Sequence, residues 1–422
     1  MKDQTIVISV RSILFTTLLA GCALAVSATL AANEPVTLTS GGLKFEERLI
    51  WGEGKYVFGI TATDIDQDGD LDFSTAGVHS DVLIWHENDG QSNLKQHIIC
   101  QDEPGYLEQH EFRDLNGDGH LDVVIVKNKI GHVIWFENNG TPGDGKLWKR
   151  HVISTDFMRA YDISLSDLDG DGDPDIAASA YTGDCFSWFE NPGKDQVNDE
   201  WRQHRFDQGK DIANTRTIVA ADFNRDGMPD LLATGTYGGR VLWYENTGLP
   251  AEKKFVRRLI DDKTVMPVHG RPVDMDADGD LDVVMAFGIR GMPQENSHQV
   301  AWYENVGQSG TGAEWKKHFI GTLAYGWVAV TGDLDGDGDL DVVATGSSGG
   351  NDKTRGVVNW YENTGDPKGE WKQHAFKSFP EASQVIAVDF DQDGKLDIAA
   401  TSEGGTAYWW RNLGPVKDSA GK

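Results

Sequence analysis

Cysteine is nearly absent, with three in 422 residues, too few for a disulfide framework to hold the fold together. Cys100 and Cys185 lie at non-equivalent places in different repeats, so no bridge between them is expected. Basic residues are also short. Lys and Arg total 38 against 67 Asp and Glu, and the formal net charge of -29 disfavours nucleic acid and anionic membranes as partners. After residue 32 no apolar run is long enough to span a bilayer. Catalytic signatures are missing as well: there is no nucleophile elbow, no phosphate-binding glycine loop and no zinc-hydrolase motif.

Residues 1–32 read as an export signal, with Lys2 and Arg11 ahead of an apolar run from Ile13 to Ala32. Two processing routes fit. Leu19-Ala20-Gly21-Cys22 resembles a bacterial lipobox, which would place a lipid anchor on Cys22, while the small residues Ala28, Ala31 and Ala32 suit ordinary signal peptidase. Either route exports the protein to a periplasmic, cell-surface or extracellular site where free calcium is plentiful. The remaining chain divides into a linker (33–42), a repeat domain (43–414) and a tail (415–422).

What the sequence does have is carboxylates in a strict pattern. Asp333, Asp335, Asp337, Asp339 and Asp341 stand at alternate positions, with Gly338 at the sixth. Charges so close repel one another unless a hard cation gathers their oxygens, and calcium takes six to eight. A helix-loop-helix calcium hand needs glutamate at the twelfth position, where this loop has Ala344. The β-branched run that follows joins the loop to strands instead.

The nine-residue pattern occurs seven times, 50 to 59 residues apart. Aspartate fills all five odd positions in three further copies: Asp64, Asp66, Asp68, Asp70 and Asp72; Asp167, Asp169, Asp171, Asp173 and Asp175; Asp274, Asp276, Asp278, Asp280 and Asp282. The second copy has Asp114, Asn116, Asp118 and Asp122, with His120 at the seventh position; the fourth has Asp222, Asn224, Asp226 and Asp230, with Met228 there. The last has Asp389, Asp391, Asp393 and Asp397, with Lys395 at the seventh. The seventh position is the most replaceable, because a backbone carbonyl can serve there. Up to seven structural calcium ions are expected, weakest in the second and fourth loops. The seven loops hold 30 of the 67 acidic residues, so full occupancy would roughly halve the net charge.

Two other signatures share the period. A tetrapeptide typified by Trp302-Tyr303-Glu304-Asn305 ends one strand, and Trp315-Lys316-Lys317-His318 typifies the next. A repeat of this length cannot bury its own apolar face and must stack on its neighbours. Four short strands per unit make one antiparallel blade, with a tryptophan packing between blades. Phe45 to Ile50 matches a fourth strand but precedes the first loop, whereas the seventh unit lacks one. The N-terminal strand should therefore complete the last blade and leave no free sheet edge. The expected fold is all-β: a closed seven-bladed propeller of four-stranded antiparallel blades, monomeric by default.

These Asp-x-Asp-x-Asp-Gly-Asp-x-Asp loops resemble those of the VCBS and FG-GAP repeat propellers, found in exported bacterial proteins and in the head of integrin α subunits. Phe58-Gly59 is present without Gly-Ala-Pro, closer to the VCBS-type variant. The resemblance implies the propeller and calcium between the first two strands of a blade, and no single activity.

Strand alternation puts the acidic loops on one face of the disc and the irregular connections on the other. The histidines sort on this map. His97, His151, His204, His318 and His374 occupy one repeated structural place, whereas His79, His110, His132, His269 and His298 map to the irregular face. The candidate ligand residues there are His110, Glu111, Arg159, Tyr161, Arg216, His269, Arg271 and Trp327, alongside Arg113, Asp162 and Tyr325. Solvated polar residues at a channel mouth would look the same. A ring of His, Arg, Glu and aromatic residues also suits a sugar or acidic saccharide; His110, Glu111 and His269 match no metal-ligand spacing. Three classes remain open: a binding or adhesion module for glycan or protein, a carbohydrate-active enzyme such as a lyase using Arg271, His110 or Tyr161, and a scaffold without a small ligand.

Overall fold

A computed structural model describes residues 36–249, 254–288, 298–306, 312–347 and 354–416; the export signal and Cys22 lie outside them. The chain forms seven antiparallel sheets arranged as the blades of a closed propeller. Blade 1 runs through Val57–Thr63, Asp72–Gly77, Val82–Asn88 and Leu94–Cys100, and blades 2 to 6 repeat it over 107–154, 160–208, 215–261, 267–322 and 326–378.

Burial follows strand order. Every residue of all seven second strands is buried, because neighbouring blades cover both faces of that strand. This is why they read as runs such as Asp122–Lys127 (DVVIVK) with no polar alternation. Fourth strands, at the rim, are mostly exposed or half-buried, with buried residues only toward their ends. The tetrapeptide tryptophans Trp85, Trp135, Trp188, Trp243, Trp302, Trp360 and Trp409 are fully buried, each large apolar side chain adding about 1.5–3 kcal/mol. The core is thus a set of interblade layers, for example Trp85, Leu83 and Ile99 of blade 1 against Val123, Ile125 and Phe136 of blade 2. Cys100 and Cys185 are buried free thiols.

Leu43–Trp51 pairs with Ala407–Pro415 and completes blade 7, which Asp397–Ser402 and Ala382–Val388 continue inward. Across the closure, Phe73 of blade 1 stacks on Phe390 of blade 7 at 3.8 Å. Within the stretch assigned to a linker, Thr37–Ser40 forms a further strand outside Leu43–Trp51, giving blade 7 five strands. Ser40 explains its place: its hydroxyl donates to the Ala375 carbonyl (2.9 Å) and accepts from the Trp360 indole (2.9 Å), both in blade 6.

The repeated histidines are structural, as their spacing suggests. Each stacks on its blade's tetrapeptide tryptophan, with centroids 4.1–4.6 Å apart. Each also meets the tetrapeptide glutamate through Nε2.

Candidate metal loops and channel-mouth pocket

The seven acidic loops share one construction. Gly69, Gly119, Gly172, Gly227, Gly279, Gly338 and Gly394 take φ between 85° and 102°, which favours glycine. The ninth-position aspartate is fully buried in each loop. In blade 1, Asp72 accepts the Ile65 N–H through Oδ2 (3.0 Å) and the Asn88 N–H through Oδ1 (2.8 Å); Asp122, Asp175, Asp230, Asp282 and Asp341 repeat both bonds. Burial nevertheless pushes these carboxyls up to about 7, and Asp175 to about 8. A buried acid held this way is short of positive charge.

The oxygens that would meet a cation come from the first, third and ninth positions. They lie within 4.8 Å of one another in Asp64/Asp66/Asp72, Asp167/Asp169/Asp175, Asp274/Asp276/Asp282 and Asp333/Asp335/Asp341. This donor set fits calcium. The seventh-position side chain turns elsewhere. It lies against the glycine after the tetrapeptide, as Asp70 does with Gly90, His120 with Gly140 and Met228 with Gly248. Asp173 and Asp339 likewise lie beside Gly193 and Gly365. Asp280 instead pairs with Arg225 of blade 4 at 2.8 Å.

Blade 7 departs from the pattern. Where six repeats have glutamate in the tetrapeptide, this one has Arg411; its guanidinium meets Asp391, and its Nη2 lies 3.5 Å from Asp393. Lys395 Nζ is 2.9 Å from the same Asp393 carboxylate. The oxygens gathered here are those of Asp389, Asp391 and Asp393, without Asp397. Two cationic side chains occupy the loop that should be a metal site.

The opposite face is organised by the residues ahead of each loop. Eight positions before the first loop aspartate stand Tyr56, Tyr106, Arg159, Asn214, Met266, Tyr325 and Glu381, all left-handed with φ of 52–69°. Each carbonyl accepts the N–H of the residue leaving its blade's second strand, as with Val78 N–H to Tyr56 and Tyr181 N–H to Arg159. That bond holds the strained turn and aims the following residues at the axis.

Six positions before the aspartate come Phe58, Glu108, Tyr161, Arg216, Val268, Trp327 and Ser383. Five of these, with Tyr56, Asn128, Arg159 and Tyr181, line a cavity of about 160 Å³ at the channel mouth. The Arg216 guanidinium lies over the rings of Tyr161 (5.0 Å), Tyr181 (4.7 Å) and Trp327 (4.9 Å). It donates through Nη1 to Tyr161 Oη (2.8 Å) and through Nε to Asn214 Oδ1 (2.9 Å). Glu108 is buried beside it, and burial pushes its carboxyl up to about 8 although Arg159 and Arg216 pull the other way.

Three positions before the aspartate, Thr61, Glu111, Ser164, Val219, Arg271, Val330 and Ile386 ring a deeper axial cavity of about 430 Å³. His110, Arg113 and Asp162 line it too. Burial raises Glu111 to about 7 and Asp162 to about 6, and lowers His110 to about 4. Gly59 makes room for His110; a Cβ there would sit 2.7 Å from its Nδ1.

The candidate ligand residues therefore divide. Arg159, Tyr161, Arg216 and Trp327 line the mouth; His110, Glu111 and Arg271 line the axial cavity. His269 is fully buried, its Nε2 3.2 Å from Tyr161 Oη. Among the described residues no metal cluster contains His110, Glu111 and His269. Tyr161 does not suit the role of base, because burial drives its hydroxyl well above the ordinary tyrosine value. Sequence reasoning missed Tyr56, Glu108, Asn128 and Tyr181. The signal was available for the first two, at eight and six residues ahead of an aspartate loop.

The FG-GAP-like repeat family matches residues 114–178, 167–233, 222–285, 274–344 and 333–400. No curated protein matches the chain. Solved structures similar to it include virginiamycin B lyase from Staphylococcus aureus (10% identity, 87% of this chain and 99% of that one, TM-score 0.56). YCF48 from Cyanidioschyzon merolae is another (10%, 86% and 98%, 0.52). An Agrocybe aegerita lectin specific for non-reducing terminal N-acetylglucosamine also matches (19%, 82% and 88%, 0.49). At these identities the likeness is one of fold.

Proposed function

Because the chain belongs to the FG-GAP-like repeat family, we propose that it is an exported, calcium-stabilised binding module. It takes a glycan at the channel mouth opposite the metal loops. The observation that carries this reading is the convergence of Arg159, Tyr161, Arg216, Trp327 and Glu108 from four blades on one small cavity. Aromatic walls with a few placed polar groups are what small-ligand sites present. Ligand binding and calcium are assigned to opposite faces, so the ions are clamps on the turn between first and second strands.

The test is a panel of neutral and acidic polysaccharides incubated with the calcium-loaded protein and read for both binding and product. Binding without turnover is the expected result, and no binding to any glycan sinks the reading. A carbohydrate-active enzyme is the second reading. It rests on Glu108, a buried acid with a raised pKa beside two arginines, as catalytic acids often are. Product formation that Glu108→Gln abolishes would favour it.

Calcium is assigned to the loops of blades 1 to 6, with Asn116 and Asn224 supplying amide oxygens in blades 2 and 4. In blade 7, Arg411 and Lys395 take the place of the ion. Metal analysis of the calcium-loaded protein should find six ions per chain, and Arg411→Glu combined with Lys395→Asp should raise the count to seven. Seven ions in the unmodified protein would show that the side chains yield to calcium.

A further inference from the structure

Nearly all buried polar atoms in folded proteins have a hydrogen-bond partner, yet the mouth cavity collects exceptions. Among the described residues Glu108 Oε2, Asn128 Oδ1, Arg159 Nε and Trp327 Nε1 are buried without one, and all four residues line the same 160 Å³. That volume is the share of about five waters, or of one six-membered sugar ring. The unmet atoms include two donors, the Arg159 and Trp327 N–H groups, and an amide acceptor on Asn128. Among the lining residues two guanidinium groups, Arg159 and Arg216, stand with one carboxyl, Glu108, while Glu403 acts on Glu108 and Tyr56 from outside the lining; the lining by itself favours an anion.

We infer that the cavity takes the terminal residue of an acidic saccharide, one pyranose ring bearing a carboxylate. Arg159 faces that carboxylate, Asn128 accepts a ring hydroxyl, and Tyr56 and Trp327 wall the ring from water. A hydroxyl-rich ring supplies the donor that Asn128 lacks; a carboxylate supplies acceptors for Arg159 and Trp327. A cavity of this size admits one chain end, not an internal stretch of polymer. This rests on the binding-module reading and narrows its ligand.

The experiment is calorimetric titration of the calcium-loaded full chain with galacturonate, glucuronate, galactose, glucose and a short oligouronate. Both uronates should bind, with each neutral sugar at least tenfold weaker; the oligomer should bind at one site per chain. Arg159→Gly is the informative variant. Residue 159 has φ 59°, which glycine adopts without strain, so Tm should hold while uronate affinity falls tenfold or more. Equal binding of acidic and neutral sugars, failure of both uronates to bind, or undiminished uronate binding by the variant overturns the inference. If Arg159→Gly still binds polysaccharides on the panel, this pocket assignment fails while the module reading survives; a protein that binds no glycan at all sinks that reading instead.

Discussion

Chelating calcium should lower the Tm of the protein by on the order of 20 °C. A site filled at a hundred times its Kd contributes about 2.7 kcal/mol, and six such sites sum to roughly 16 kcal/mol. For a domain of this size a kilocalorie moves Tm by about 1 °C, given an unfolding entropy of about 2.1 cal/mol/K per residue. The effect should be global, because the loops clasp one another around the ring. Gln67 of blade 1 donates to the Gly119 carbonyl of blade 2 (2.9 Å), and Gln392 of blade 7 donates to the Gly69 carbonyl of blade 1 (2.7 Å). Asn191, Asn246 and Asn412 reach back to a loop carbonyl of the preceding blade. Loss of one ion therefore loosens its neighbours. A melt that chelation leaves unchanged, together with abolished ligand binding, would return the loops to the role of functional site.

The second large effect is one of sign. In the metal-free protein, stability should rise as pH falls from about 8 to about 6.5. The ninth-position aspartates sit at about 7, Asp175 and Glu108 at about 8 and Glu111 at about 7, against about 4 for an unfolded carboxyl. The folded chain thus binds more protons than the unfolded chain between those values, and stability falls as pH rises through the window. Below about 6.5 the buried histidines oppose the trend. His86 is held down to about 3, His110 to about 4, and His269 well below its ordinary value, so folding keeps them neutral while unfolding lets them protonate. Three histidines against nine raised acids lessen the slope without cancelling it, so the metal-free Tm should go on rising there, less steeply, toward the ordinary carboxyl range at about pH 4. With calcium bound the dependence reverses, because protons compete with the ion for the same oxygens. Thermal melts between about pH 5 and 8, with and without chelator, read both curves; a metal-free Tm that climbs from pH 6.5 to 8 would contradict the buried-acid account.

Much of the architecture was legible beforehand because it is local and repeated. Nine loop residues, a tryptophan tetrapeptide and a Trp-Lys-x-His strand recur at one period, and the displaced first strand announces the closure. Other features were not legible. Thr37–Ser40 is too short to stand out from a linker, and it becomes a strand because Ser40 can bond to blade 6. Arg411 reads as one more variation in a tetrapeptide until its side chain is seen among the blade 7 aspartates. The eight candidate ligand residues looked like one set, but residues three and six positions ahead of a loop line different depths of the channel.

The sequence by itself determined the number of blades and their closure, read from the count of one repeated unit and the displaced fourth strand at Phe45 to Ile50. It also determined the loop carboxylates, whose pattern is local to each repeat. Only the tertiary structure decided that the Arg411 guanidinium lies among the blade 7 aspartates, and that Glu108, Asn128, Arg159 and Trp327 share one cavity. Glu108 and Asn128 belong to blade 2, Arg159 to blade 3 and Trp327 to blade 6. Closing the ring is what brings them together, and no local pattern encodes which side chains will be left facing one another without a partner.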